Sequence, residues 1–349
     1  MCLLLKKLIL RTLISIFILW GVSACYSLNI MHNQHKLYSK KEKVAKLEKS
    51  HRIEKKLKDK LGLVNEALHF CEDEELFVGK SYQELIFNEK SRAVSFLLQV
   101  AYPFELKWVE WSYPVIGRVP YQGFFQEGDR DVEADSWGKK NFDTSKGTVT
   151  AFSTLGWFSD PLYSSMLKQR DFALVETIFH ELVHKTYWLK NDVVSNEHLA
   201  TYLSHRMTKN FLKKKKEQEE LKFYEAYLAD RKFFYYWLVD LKESLHLYYT
   251  GLKKEDSLEK KNQGKKTIFQ KFLQVKKPKF LQFDFIGKEE SWNNADVLAS
   301  GLYQPDSEFL DKVYHCSKAE NVGGFLRALK TAPGKNFKAK TEYLCRVSE

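Results

Sequence analysis

Thr177-Ile178-Phe179-His180-Glu181-Leu182-Val183-His184-Lys185, followed closely by Ser195-Asn196-Glu197-His198-Leu199-Ala200, decides how this chain is read. The first stretch contains the pattern HExxH. It lies within Asp171 to Lys190, where Phe172, Val175, Ile178, Phe179, Leu182 and Val183 recur at helical spacing. Asp171 is the expected N-cap. Side chains four apart on a helix leave one face a turn apart, so His180 and His184 can hold one metal ion. Glu181 lies about 100° round the helix, where a carboxylate can act as general base toward a metal-bound water.

A catalytic zinc takes three protein ligands and keeps one position open. Glu197 opens a second amphipathic helix and is the expected third ligand, completing a His₂Glu set for one zinc ion. A carboxylate at a helix N-terminus is also favoured by the helix dipole alone, so spacing carries this assignment rather than charge. Ala200, one turn on, is small enough to let the two helices approach. Asn196 beside Glu197 and Thr201 a turn beyond it are candidates for supporting the ligands. The connection around Lys190-Asn191-Asp192 must be tight. The element NExxA after HExxH resembles the gluzincin peptidases.

Val149-Thr150-Ala151-Phe152-Ser153-Thr154-Leu155-Gly156-Trp157-Phe158-Ser159-Asp160-Pro161-Leu162 precedes these helices. Taken together with them, it resembles the bacterial "Putative aminopeptidase" family. The resemblance extends over Trp111 to Val119, Tyr121 to Phe125, and the late Asn293-Asn294-Ala295 with Tyr303, so it covers most of the chain. It implies a gluzincin-like zinc metallopeptidase acting on peptides, expected to be an aminopeptidase. Two cysteines usual in that family's hairpin are Ser112 and Arg118 here, so a disulfide across that turn is absent. By the same resemblance, Thr150, Ala151 and Phe152 form a strand that pairs with extended substrate, the mode of β-augmentation. Tyr303, with Asn293 and Asn294, is the candidate for stabilising the oxyanion, alongside Glu181 as catalytic base.

The N-terminus reads as an address. Lys6, Lys7 and Arg11 precede a short apolar run from Leu13 to Trp20, and small residues lead into Val22-Ser23-Ala24-Cys25. This ending resembles a bacterial lipobox, with Cys25 as the lipidated residue. Residues 1–24 are then a signal peptide, 25–40 a tether, and 41–349 one catalytic unit, divided into 41–170 and 171–349. Tyr26 after the Cys points to the outer membrane facing the periplasm rather than inner-membrane retention. Of the five Cys, Cys71, Cys316 and Cys345 remain, and a Cys316–Cys345 bridge is possible. No CxxC is present, which argues against a thiolate metal site.

The fold class expected is α+β, predominantly helical, with a small β-hairpin or sheet region before the HExxH helix. Helices are expected over 41–61, 63–70, 91–101, 171–190, 195–213, 216–250 and 292–303. Residues 104–126 are rich in strand-forming residues punctuated by Pro and Gly, and Thr148 to Phe152 reads as a strand. Gly128 to Asp143 is expected to be a loop, and Lys253 to Lys266 a charged linker.

Composition narrows the function. The chain has 349 residues with 56 Lys and Arg against 45 Asp and Glu, a formal charge of +11. Lys6, Lys7 and Arg11 leave with the leader and no acid does, taking the balance to +8. Much of the basic character sits between Lys36 and Lys60, beside the anchor, where it suits an anionic leaflet. The cluster Lys213 to Lys216 is followed at once by Glu217, Glu219 and Glu220, which reads as a solvated helix face and not as a nucleic-acid groove. The alternative to an enzyme is a catalytically silent metal-binding scaffold of the envelope. The presence of Glu181 beside all three ligands favours the enzyme.

Overall fold

The computed structural model describes residues 41–50, 53–87, 95–113, 117–149, 160–287 and 291–347. The leader, Cys25, the tether and the expected substrate strand Thr150, Ala151 and Phe152 lie outside these residues.

The described chain opens with β1 (Lys41–Lys43) and α1 (Val44–Glu48), which buries Val44 and Leu47. α2 (Lys55–Asp73) starts after the extended residue Glu54. The spacing predicted a helix from Lys41 to Leu61 and another from Leu63 to Phe70. The division instead falls before Lys55. Leu61, Val64, Leu68 and Cys71 form one buried stripe, and Gly62 passes within it as an ordinary helical residue.

Short strands follow: β2 (Glu84–Ile86), β3 (Ser95–Ala101), β4 (Trp111–Tyr113), β5 (Gly117–Val119) and β6 (Gln122–Phe124). After α3 (Glu127–Lys139) come β7 (Asp143–Val149) and β8 (Leu162–Tyr163). They form three small sheets, ordered β1-β2-β8, β6-β3-β7 and β4-β5. The helix expected over Ser91 to Ala101 is, from Ser95 on, the central strand β3. It is flanked by β6 and β7, and Leu98 and Val100 pack beneath Ala134 and Trp137 of α3. A strand with little exposure on either face loses its polar alternation and reads like a helix.

Nor is Gly128 to Asp143 a loop. Glu127 and Asp129 suit the positive end of α3. Arg130 is buried there and held by Glu127, Asp131 and the Gly147 carbonyl. Acidic composition hid a helix whose inner face rests on one Ala, one Trp and an Arg.

The rest is helical: α4 (Asp171–Thr186), α5 (Val193–Lys215), α6 (Gln218–Thr250), α7 (Leu258–Gln270) with a π-turn over Lys271–Val275, α8 (Asn294–Leu302), α9 (Ser307–Cys316), α10 (Val322–Thr331) and α11 (Phe337–Arg346). The architecture is α+β and predominantly helical. The expected linker is α7 from Leu258 on, capped by Ser257. Its exposed lysines conceal two inward anchors. Phe269 enters the core, and Lys265 is buried against Asp143 and the Pro103 carbonyl. The largest apolar cluster joins α2, α4, α5 and α9 to α11. A Cys316–Cys345 disulfide ties the end of α9 to α11, and Cys71 is a buried free thiol. Among the described residues no helix is long and apolar enough to cross a membrane.

Candidate metal centre

α4 and α5 pack along each other, with Ile178, Leu182, Leu199, Ala200 and Leu203 buried at or near zero exposure. Fully buried Ala200 lets the backbones approach. The connection between them is as tight as the spacing required. Asn196 turns its side chain back on Leu189, accepting from its N–H at 2.9 Å and donating to its carbonyl at 2.8 Å. Asp192 caps α5 through the Ser195 N–H, and Asn191 takes a left-handed conformation. Asn196 thus supports the centre by fixing the turn. Asp171 is the first residue of α4 rather than its cap. Arg170 occupies the cap position, and Asp171 pairs with Lys60.

This frame brings His180, His184 and Glu197 together. The His180 and His184 Nε2 atoms are 3.0 Å apart, and Glu197 Oε2 is 3.1 Å from the first and 3.4 Å from the second. Tetrahedral ligands at roughly 2.0–2.1 Å from one ion stand about 3.3 Å from each other, so the triangle fits the face of a zinc site. Its chemistry fits as well: two imidazoles and a carboxylate converge where little water reaches. Burial alone would raise the Glu197 carboxyl pKa. His184 and His180 outweigh it and hold the group well below the ordinary carboxylate range. His184 Nδ1 is buried without a partner among the described residues, and its ring centroid lies 5.3 Å from that of Trp188, the two rings steeply inclined.

Glu181 is half-buried between the two histidines on α4. Its charge reaches three tyrosine hydroxyls, those of Tyr82, Tyr121 and Tyr303. Tyr303 follows α8, and its ring centroid lies 6.1 Å from that of His180. The residue is 43 % exposed, yet the nearby Glu197 carboxylate, loss of water, Tyr121 and Glu181 push its hydroxyl pKa far up. Tyr121, between β5 and β6, is raised chiefly by loss of water, then by Glu197 and Glu181. Sequence reading took Tyr121 only as a strand former. No spacing rule relates position 121 to position 197; its only signal was membership of the quoted block Tyr121 to Phe125.

Other candidates are placed elsewhere. Asn293 caps α8 in a reciprocal box with Asp296 and donates to the Thr144 carbonyl. Fully buried Asn294 donates to the Tyr102 and Pro103 carbonyls and accepts from the Tyr249 hydroxyl. These bonds pin α8 to the β3–β7 sheet and fix where Tyr303 emerges, and they leave Asn294 no free amide N–H for an oxyanion. Thr201 is buried, and its hydroxyl has no partner among the described residues. His198 binds the Gly301 carbonyl, and His205 is buried beside Glu176.

The hairpin seats on the connection between α4 and α5. Ser112 stands directly opposite Arg118, so the positions that carry the cysteine pair in the resemblance face each other. In place of a disulfide, the Arg118 N–H donates to Asn191 Oδ1 at 3.0 Å, and Arg118 pairs with Glu110. A Cβ at Gly117 (φ +86°) would stand 2.3 Å from that Asn191 oxygen, so only glycine fits.

Comparison with known proteins finds no match among characterised proteins or solved structures. A family model described as "Putative aminopeptidase" matches residues 25–344, which include the metal centre, the hairpin and α8. By that match over most of its length, the chain belongs to this family.

Proposed function

We propose that the protein is a zinc-dependent metallopeptidase of gluzincin type, acting on peptide bonds as an aminopeptidase. Its tether is a lipid on Cys25, which holds it in the bacterial cell envelope at the outer membrane facing the periplasm. The observation that carries the enzymatic reading is the 3.0–3.4 Å triangle of His180, His184 and Glu197 with Glu181 on the same helix. Family membership supports a peptide substrate.

His180, His184 and Glu197 would hold the ion, which when bound supplies a water of lowered pKa and polarises a carbonyl. Glu181 takes the proton of the attacking water and passes it to the leaving amine. Tyr303 and Tyr121 stay protonated and present hydroxyl donors to the developing oxyanion. The edge strand β7 leads into Thr150, Ala151 and Phe152, which would pair with the extended substrate.

Chelation is expected to abolish hydrolysis of a peptide library, and one equivalent of Zn²⁺ to restore it. Hydrolysis indifferent to chelation would overturn the reading. One tightly held zinc with no hydrolysis of any peptide would support the silent scaffold instead. Tyr303→Phe should lower kcat about 10²-fold with KM and zinc content nearly unchanged. A parallel loss of zinc would mark that tyrosine as structural.

A further inference from the structure

We propose that Arg231 is a positioning residue for the reaction. It clamps the main chain of Tyr303 to the helix that carries the two histidines, and so sets where the tyrosine hydroxyl stands over the metal centre. This rests on the function proposed above and adds to it a residue that acts only through Tyr303.

Tyr303 follows the last residue of α8, so its carbonyl lies beyond the helical ladder and needs a donor from elsewhere. The residues on either side of it point inward. Leu302 and Gln304 are buried, and Leu302 packs with Val119 and Val193. The Tyr303 side chain is the exposed one of the three, and its ring neighbour is His180. A ring so placed takes its direction from its own backbone. Two bonds hold that backbone: the Gln304 N–H donates to the Gly301 carbonyl, and Arg231 Nη2–H donates to the Tyr303 carbonyl.

Arg231 is itself fixed from several sides. Tyr224, Tyr227 and Arg231 stand at i, i+3 and i+7 on α6 and share one face. Arg231 Nη1–H donates to the Tyr227 hydroxyl at 2.9 Å, and the guanidinium lies over the Tyr227 and Phe285 rings at 5.6 and 5.7 Å. Asp230, the preceding residue and fully buried, accepts from the N–H groups of Leu281, Gln282 and Phe283, which holds the segment leading to Phe285. The Tyr224 hydroxyl donates to Glu176 at 2.6 Å, and the Tyr227 hydroxyl lies 3.5 Å from the same carboxylate. Glu176 is on α4, one turn before His180. Side chains therefore run without a break from the histidine helix through Glu176, Tyr227 and Arg231 to the main chain of Tyr303.

A cation beside the end of α8 is favoured by the helix dipole alone, and a lysine would serve for that. Arg231 does more. Its planar fork divides its two terminal nitrogens between the Tyr227 hydroxyl and the Tyr303 carbonyl, which an ammonium on a flexible stem cannot hold in one fixed geometry. Its Nε is buried without a partner among the described residues, so both bonds it makes are given to this bridge. A donor displaced by 1 Å from its reacting atom loses about 10²-fold in rate, so a clamp on the backbone of Tyr303 bears directly on turnover.

The test compares Arg231→Lys, Tyr303→Phe and the two together, each loaded with zinc, on one peptide that the wild-type chain cleaves. Arg231→Lys keeps a cation near Glu176 but loses the fork. It should lower kcat about tenfold or more, with KM changed less than about twofold and zinc content and melting temperature near those of the wild type. Because Arg231 acts through Tyr303, the double variant should be slower than Tyr303→Phe alone by no more than about twofold. Backbone hydrogen exchange in the segment 301–306 should quicken in Arg231→Lys, while exchange in α4 and α5 stays as in the wild type. Glu176→Leu with Arg231→Met removes both charges and the clamp together, and should show the same loss of kcat if Arg231→Lys fails to fold. Losses that multiply in the double variant would overturn the inference. So would a wild-type kcat in Arg231→Lys, or unchanged exchange in 301–306. A wild-type chain that cleaves no peptide would defeat the function on which the inference rests, whereas a wild-type chain that cleaves and an Arg231→Lys variant that cleaves as fast would defeat the inference alone.

Discussion

Glu181→Gln should leave the zinc content at one per chain and reduce peptide hydrolysis about 10³-fold or more. The change keeps the side chain's volume and its place on α4, which is held by Leu182 and Val183 rather than by Glu181 itself. What it removes is the capacity to take and return a proton, a contribution of roughly 10²–10⁴ in rate. The atoms that could hold a metal belong to His180, His184 and Glu197, so metal binding need not change. The loss should appear in kcat and kcat/KM alike, as for an interaction made in the transition state. Activity within tenfold of wild type would remove Glu181 from the mechanism and the mechanism from the chain.

The second large effect lies one turn earlier on the same helix. Glu176 accepts from the Tyr224 hydroxyl at 2.6 Å and lies 3.6 Å from His205. Burial alone would raise its carboxyl pKa; His205, Arg231 and Tyr224 outweigh burial and hold it at about 2. Arg231 in turn donates to the Tyr227 hydroxyl at 2.9 Å and to the Tyr303 carbonyl. Glu176→Gln strands a cationic guanidinium among aromatic rings. It should cost on the order of 3 kcal/mol in denaturant unfolding. Because the folded pKa is depressed, the native state binds fewer protons than the unfolded chain. Glu176's contribution is therefore full above about pH 4.5 and disappears as the pH falls toward 2. The variant should show a shallower acid dependence in that window. The double change Glu176→Leu with Arg231→Met should recover part of the loss, since two opposite charges buried near each other can be replaced by apolar packing. An unchanged unfolding free energy in the single variant would show that the network contributes nothing.

How much was legible in advance follows from how far apart the cooperating residues are. HExxH and Glu197 are local, 17 residues from first ligand to last, and helical periodicity placed them on facing helices. The long helices α4, α5 and α6 were legible because each carries a broad apolar stripe. β3 was not, since a strand enclosed by β6, β7 and α3 has no alternation to betray it. α3 and α7 were hidden for the opposite reason: their inner faces are narrow, resting on Ala134 and Trp137 in one and Phe269 and Lys265 in the other. Asn293 and Asn294 looked like site residues because amides suit oxyanions. Only the fold reveals that these side chains bond to Asp296, Thr144, Tyr102 and Tyr249 in holding α8 to the sheet. Tyr121 was invisible because it reaches the centre through the seating of a hairpin on Asn191, a contact no single-sequence pattern encodes.

The tightness of the connection between α4 and α5 bears on the order in which the protein assembles. The three ligands come from one helical hairpin whose turn is closed by Asn196 on Leu189, so they meet at small loop-closure cost. Tyr303 comes from near the other end of the chain and meets His180 only after α8 has been pinned to the sheet. A nascent or partly unfolded chain would therefore assemble the His180, His184 and Glu197 triangle before Tyr303 reaches it. On the proposed function, a metal could be captured early in folding, and peptide cleavage would wait for α8 to dock.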